Sequence, residues 1–131
     1  MSINKKQRLT ILSKFNYHCA YCGCRLDMVT MQVDHIIPQA RFAQHVRNMN
    51  APYFLSHLQK EDINHPDNLF PSCRACNFTK DTFTIEKFRE KISEKLMIVQ
   101  KTFNFKLLKK YGFVQEIEKP VIFYFETLWQ N

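Results

Sequence analysis

At 131 residues, 45% of them hydrophobic and twelve of them Phe, the chain suits one domain with a real core, which excludes a disordered tail. Nineteen Lys and Arg against twelve Asp and Glu give a net charge of +7 and a pI near 9.3, which favours a polyanionic partner such as nucleic acid or an anionic membrane surface. Within residues 1–60 eight basic residues meet only two acids, so the first half supplies most of the excess.

From Lys5 to Phe15, Leu9, Leu12 and Phe15 recur at helical spacing among Lys and Arg, which predicts a short basic helix leading into "CAYCGC". Residues 28–37 read as a strand of period-two character, with Met31, Val33, His35 and Ile37 on one side and Pro38 ending the pairing. Residues 39–49 predict a basic helix, and 50–66, with Pro52 and Pro66, a loop or short helical piece. "NLFPSC" is a second short strand. Ile85, Phe88, Ile92, Leu96, Val99 and Phe103 then fall three or four residues apart, predicting a helix over about 84–103 capped by Thr84 or Asp81, its stripe facing core or a dimer seam. "PVIFYFETLW" reads as a strand that either seals the core or offers an edge to a second copy, a homodimer. Gly23 and Gly112 are placed where φ is positive. No apolar run reaches bilayer length and the start has no signal-like region, so no membrane partner and a cytoplasmic location are expected.

Cys19-x2-Cys22 and Cys73-x2-Cys76 are two identical knuckles, and each lets one tight turn aim two thiolates at a point. Together they predict a closed tetrahedral zinc site of structural type. Four cysteines packing as small hydrophobes is the plainer alternative, but chance rarely places two such knuckles in so short a chain. Cys24 is a bystander.

Between the knuckles, "MQVDHIIP" sets two ionisable groups, Asp34 and His35, in a strand-like run; Asn68 stands in "HPDNLF", and Asn77 and Lys80 follow Cys76. An imidazole has a pKa near 6.5, suited to taking a proton from water, and a carboxylate with an amide carbonyl suits Mg²⁺. Singly, each residue has an ordinary explanation: Asp34 paired with a neighbour, Asn68 in a turn, Asn77 capping, Lys80 solvated. In a regular strand Asp34 and His35 would face opposite ways, so joint service to one phosphate needs a bend or a strand end.

In the order Cys-x2-Cys, Asp-His-Ile-x-Pro, Asp-Asn-Leu, Cys-x2-Cys-Asn-x2-Lys, the chain resembles the zinc-containing HNH endonucleases from about residue 8 to 88. That resemblance implies an α+β fold with a ββα-metal (HNH, or His-Me finger) core, a structural zinc held by four cysteines, an N-terminal helix, a long C-terminal helix and a terminal strand. The 1–131 span would be a single nuclease domain, with 89–131 as its extension. It implies a metal-dependent DNA endonuclease in which His35 is the general base, Asp34 and Asn77 hold a catalytic Mg²⁺ or Mn²⁺, and Asn68 orients the His35 loop. Asn77 stands where some members have His, which leaves the metal fewer protein ligands. Lys80, with Arg41 and Arg47 of the 39–49 helix, would contact the nucleic-acid backbone. The rival from another class is a non-catalytic zinc-dependent nucleic-acid-binding module, which has no need of Asp34, His35 and Asn77 together.

Overall fold

The computed structural model describes residues 3–39 and 52–129. Helix α1 spans Lys5–Lys14. Asn4 Oδ1 accepts from the Gln7 amide at 2.8 Å and Gln7 Oε1 from the Asn4 amide at 2.9 Å, a reciprocal box that satisfies two otherwise orphaned donors. Leu12 and Phe15 of the expected apolar face are buried, joined by Ile11, while Leu9 is 44% exposed. Arg8 donates from Nη2 to the carbonyls of Met28 and Met31 at 3.1 and 3.2 Å, tying α1 to the approach to the first strand.

That strand, β1, is Gln32–His35, and it pairs antiparallel with β2, Leu69–Ser72, in a two-stranded sheet. Asp34 lies opposite Phe70 and His35 opposite Leu69. β1 is shorter than the 28–37 predicted because Asp27 Oδ1 accepts from the amides of Val29 and Thr30, both at 2.8 Å, which holds residues 27–30 in a turn. Pro71 is tolerated in β2 because each strand of so small a sheet is an edge. Its carbonyl still accepts from the Ala20 amide at 2.9 Å, fastening the first knuckle to the sheet.

After β2 comes α2, Arg74–Lys80, and then α3, Ile85–Gln100. Thr84 caps α3, its hydroxyl accepting from the Lys87 amide at 3.1 Å, whereas Asp81, at φ 50°, terminates α2. Only the first turns of the α3 stripe reach the core. Ile85 and Phe88 are buried and Ile92 is half-buried, but Leu96, Val99 and Phe103 are 46, 49 and 76% exposed. Thr102 opens a separate helix α4, Phe103–Lys110, by accepting from the Phe105 amide at 3.2 Å, which ends α3 close to where the periodicity carries it. The predicted 39–49 helix, with Arg41 and Arg47, lies outside the described residues apart from its first position.

The predicted terminal strand is a correction. Residues 124–128 form a short helix, α5, Tyr124–Leu128. Glu126 accounts for the change: its Oε1 accepts from the Phe123 amide at 2.9 Å and from Arg89 Nη1 of α3 at 2.8 Å, which winds the chain back at the point where a strand would continue. The amides of Tyr124 and Phe125 donate to the carbonyls of Tyr21 and Ala20 at 2.9 and 2.8 Å, and Phe123 and Phe125 are buried. The segment therefore seals the core and offers no strand edge to a second copy.

Burial raises the Glu126 pKa, but the bonds from Arg89 and from Phe123 N–H outweigh it and the net shift is downward from 4.5. A lowered carboxyl pKa stabilises the fold above the unfolded value and loses that contribution as the pH falls through the folded one. Glu126→Gln should cost about 1 kcal/mol in thermal melts at pH 7, discounted for partial exposure, and progressively less below pH 4.5.

The core gathers around Tyr21. Its ring meets Phe70, Phe88, Phe123 and Phe125 edge-on at centroid distances of 5.1 to 6.4 Å, and Leu12, Met31, Ile36 and Ile37 close the shell. Among the described residues, no helix is long and apolar enough to cross a membrane.

Candidate active site and metal centre

The knuckles meet as their spacing predicts. The sulfur atoms of Cys19, Cys22, Cys73 and Cys76 all lie within 4.8 Å of one another. In the first knuckle the Gly23 amide closes a turn onto the Cys19 carbonyl at 3.0 Å, and Gly23 at φ 79° takes the left-handed conformation that a Cβ would strain. In the second, Cys73 caps α2, its sulfur accepting from the Cys76 amide at 3.4 Å. A hydrogen bond from the Cys76 thiol pulls the Cys19 pKa down to about 4 against the opposing effect of burial, and the same bond raises that of Cys76. Four sulfurs gathered around one point are a donor set that fits zinc. Cys24 is exposed and outside the cluster. The two knuckles bracket β1 and β2, so an ion there would staple both strands and α2 into one unit.

β1 is regular through His35 and ends there, and its two ionisable side chains leave on opposite faces. Asp34 points inward and is 4% exposed; its carboxylate accepts from the Tyr21 hydroxyl and lies 3.2 Å from the Lys80 ammonium. Burial raises the Asp34 pKa against the attraction of Lys80, lowers that of Lys80 against the attraction of Asp34, and with the Asp34 charge raises that of Tyr21. Each partner is pushed toward its neutral form by desolvation and pulled back by the other.

The expectation of Lys80 as a surface phosphate contact is corrected. It is fully buried instead, donating also to the His35 carbonyl at 3.1 Å. The reason is its position on α2, which crosses the inner face of β1: Lys80 meets Asp34 and, one turn earlier, Asn77 Nδ2 donates to Gln32 Oε1 at 2.7 Å. Lys80→Met, matched in length but without charge, leaves a buried carboxylate unpaired and should cost about 3 to 5 kcal/mol in denaturant melts. That loss should shrink at acid pH, where protonated Asp34 needs no counter-charge.

Asn77 is therefore not remote from Asp34. Gln32 and Asp34 share one face of β1, two residues apart, and Asn77 stands over that face with its carbonyl oxygen taking no hydrogen bond among the described residues. The oxygens of Gln32, Asp34 and Asn77 are the hard donors that Mg²⁺ or Mn²⁺ prefers.

His35 turns the other way, its Nε2 2.8 Å from Asn64 Oδ1. An amide oxygen only accepts, so in the neutral tautomer that donates Nε2–H to Asn64 the lone pair lies on Nδ1. Among the described residues the Asn68 side chain makes no hydrogen bond to the imidazole. Fully buried, it clamps the backbone just beyond: Oδ1 accepts from the Ile37 amide at 2.8 Å, and Nδ2 donates to the carbonyls of Ile63 and Ile37 at 2.9 and 3.3 Å. Asn68→Ala strands these three backbone groups and should cost about 3 kcal/mol in thermal or urea melts. Three members of this arrangement carry no motif signal of their own. Tyr21 sits inside the first knuckle, Asn64 is one polar residue in a polar segment, and Gln32 is legible only from the two-residue period that puts it beside Asp34.

No family model matches the chain. The Septu protein PtuB of Bacillus thuringiensis is 32% identical over 82 residues, 61% of this chain. Those residues make up 25% of that protein, so the chain spans about a quarter of the length of this curated relative. Among solved structures, the Type II-C Cas9 enzyme from Actinomyces naeslundii superposes with a TM-score of 0.46 at 23% identity, covering 87% of this chain and 12% of that one. What the chain shows beyond these partial likenesses is an α+β fold in which a four-cysteine cluster able to hold zinc flanks a two-stranded antiparallel sheet.

Proposed function

We propose that the chain is a metal-dependent endonuclease of HNH type that hydrolyses phosphodiester bonds in DNA. The observation that carries the reading is the junction of β1 and α2: Asp34, Gln32 and Asn77 gather on one face of β1, and His35 stands at the strand end, the position from which joint service to one phosphate requires only that the chain turn there. Asp34 and Asn77 would hold a divalent ion, with Gln32 beside them. When bound, the ion supplies positive charge where a phosphate gains negative charge. His35 takes a proton from water at Nδ1, Asn64 fixes the ring tautomer and plane, and Asn68 holds the Ile36–Ile37 backbone on which the His35 position depends. Asn68 is thus a positioning residue, not one that touches the reacting atoms. The net charge of +7 suits a polyanionic substrate, and Arg41 and Arg47 remain proposed backbone contacts.

One observation favours the second reading, a zinc-dependent nucleic-acid-binding module without hydrolysis: the Asp34 carboxylate is already neutralised by Lys80 and bonded to Tyr21. Plasmid nicking separates the two. The nuclease reading expects supercoiled DNA to be nicked with Mg²⁺ or Mn²⁺ and left intact in EDTA. Retained DNA binding with no cleavage under either ion would favour the binding module.

A further inference from the structure

Away from the cysteines and from Asp34, a second group of ligating side chains converges on the outer surface. His57 follows the one-turn 3-10 helix Tyr53–Leu55, and His65 and Asp67 flank Pro66 at the start of the 3-10 turn Pro66–Asn68. One ligand atom from each of the three lies within 4.8 Å of the others. His57 Nε2 is 2.8 Å from Asp67 Oδ2, His65 Nδ1 is 3.8 Å from the same oxygen, and the two rings meet edge-on at 5.7 Å. We propose that His57, His65 and Asp67 form a second, solvent-facing site for a borderline divalent transition metal such as Zn²⁺, Co²⁺ or Ni²⁺.

Two imidazoles and a carboxylate are the donors that such ions prefer and that Mg²⁺ does not. All three side chains are between 36 and 51% exposed, so entry needs no opening of the fold and coordination positions remain for water. Two of the three spacings are already close to those around a small ion, and Pro66 restrains the backbone between His65 and Asp67. Binding exchanges existing hydrogen bonds for metal bonds. Asp67 Oδ2 releases His57, whose Nε2 presents its lone pair once the ring proton moves to Nδ1, and His65 Nδ1 releases the Asp67 amide it now accepts from at 3.0 Å. Filling the site ties the turn after Leu55 to the turn that carries Asn68, and with it the neighbouring Asn64 that holds His35. The site stands apart from the nuclease reading, since none of its three residues belongs to the Asp34 and His35 arrangement.

The test uses the untagged chain with its cysteine cluster loaded with zinc, titrated with further Zn²⁺ by calorimetry and with Co²⁺ by visible absorption. A second equivalent is expected at micromolar concentration, with weak d–d bands and no sulfur-to-cobalt charge-transfer band, and with shifts of the His57 and His65 side-chain nitrogen resonances but not those of His18. His57→Gln and Asp67→Asn should each weaken that equivalent at least tenfold, and the His57→Ala/His65→Ala double variant should abolish it while the cysteine-bound zinc stays. An unchanged second equivalent in the double variant would overturn the proposal, as would its absence from the parent chain up to millimolar Zn²⁺. Far-ultraviolet circular dichroism of each variant separates lost ligation from lost folding.

Discussion

Cys19→Ser is expected to remove tight zinc binding and to take most of the cooperative fold with it. Cys19 is the buried cysteine of the four and the one whose pKa falls to about 4. Its neighbours Ala20 and Tyr21 carry the bonds to Pro71 and to the terminal helix. Structural zinc contributes apparent folding free energy on the order of 10 to 16 kcal/mol in small zinc domains, as large as the whole net stability of a typical domain this size. Metal content should drop from one tightly held ion to none, and the thermal transition should become broad or disappear. Cys24→Ser, at the exposed cysteine outside the cluster, should leave both unchanged. A Cys19→Ser chain that melts like the parent would remove the zinc staple from the account.

His35→Ala should lower the rate of DNA cleavage by about 100- to 10,000-fold while shifting the melting temperature little, because the imidazole is only half-buried and leaves the core untouched. Asn64→Asp is a companion test. It keeps an acceptor against Nε2–H but adds negative charge beside the ring, and should change the cleavage rate without loss of the folded circular dichroism spectrum. Parent and His35→Ala chains cleaving at the same rate would refute the assignment of the base.

Parts of this molecule are plain in its sequence and others are not, for separable reasons. The cysteine cluster is legible because two residues of spacing set a local turn whatever the rest of the chain does. The start of α3 at Thr84 is legible because a hydroxyl before a charged, periodic run satisfies the first free amides. The terminal segment misleads because Phe123 and Phe125 have the alternation of a strand, while Glu126, which accepts from the Phe123 amide, is held in place by a bond from Arg89, thirty-seven residues away. The α3 stripe misleads in the other direction: periodicity gives the helix correctly but does not say how far the core extends beneath it.

At the site, the unusual pairing of Asp34 with His35 shows in the sequence, whereas what each faces does not. A two-residue period divides them between faces, but only the tertiary path of α2 brings Lys80 and Asn77 across the inner one. Lys80 shows this most clearly. As a letter it reads as a solvated cation, and in the fold it is the buried counter-charge of the carboxylate proposed to bind metal.

That contact frames the most direct measurement, a crystal of the zinc-loaded chain soaked in Mn²⁺ with anomalous data collected at the manganese edge. The account predicts a peak between the side-chain oxygens of Asp34 and Asn77, with the Lys80 ammonium moved off Asp34. No peak at that position, with Lys80 still on the carboxylate at saturating Mn²⁺, would contradict it.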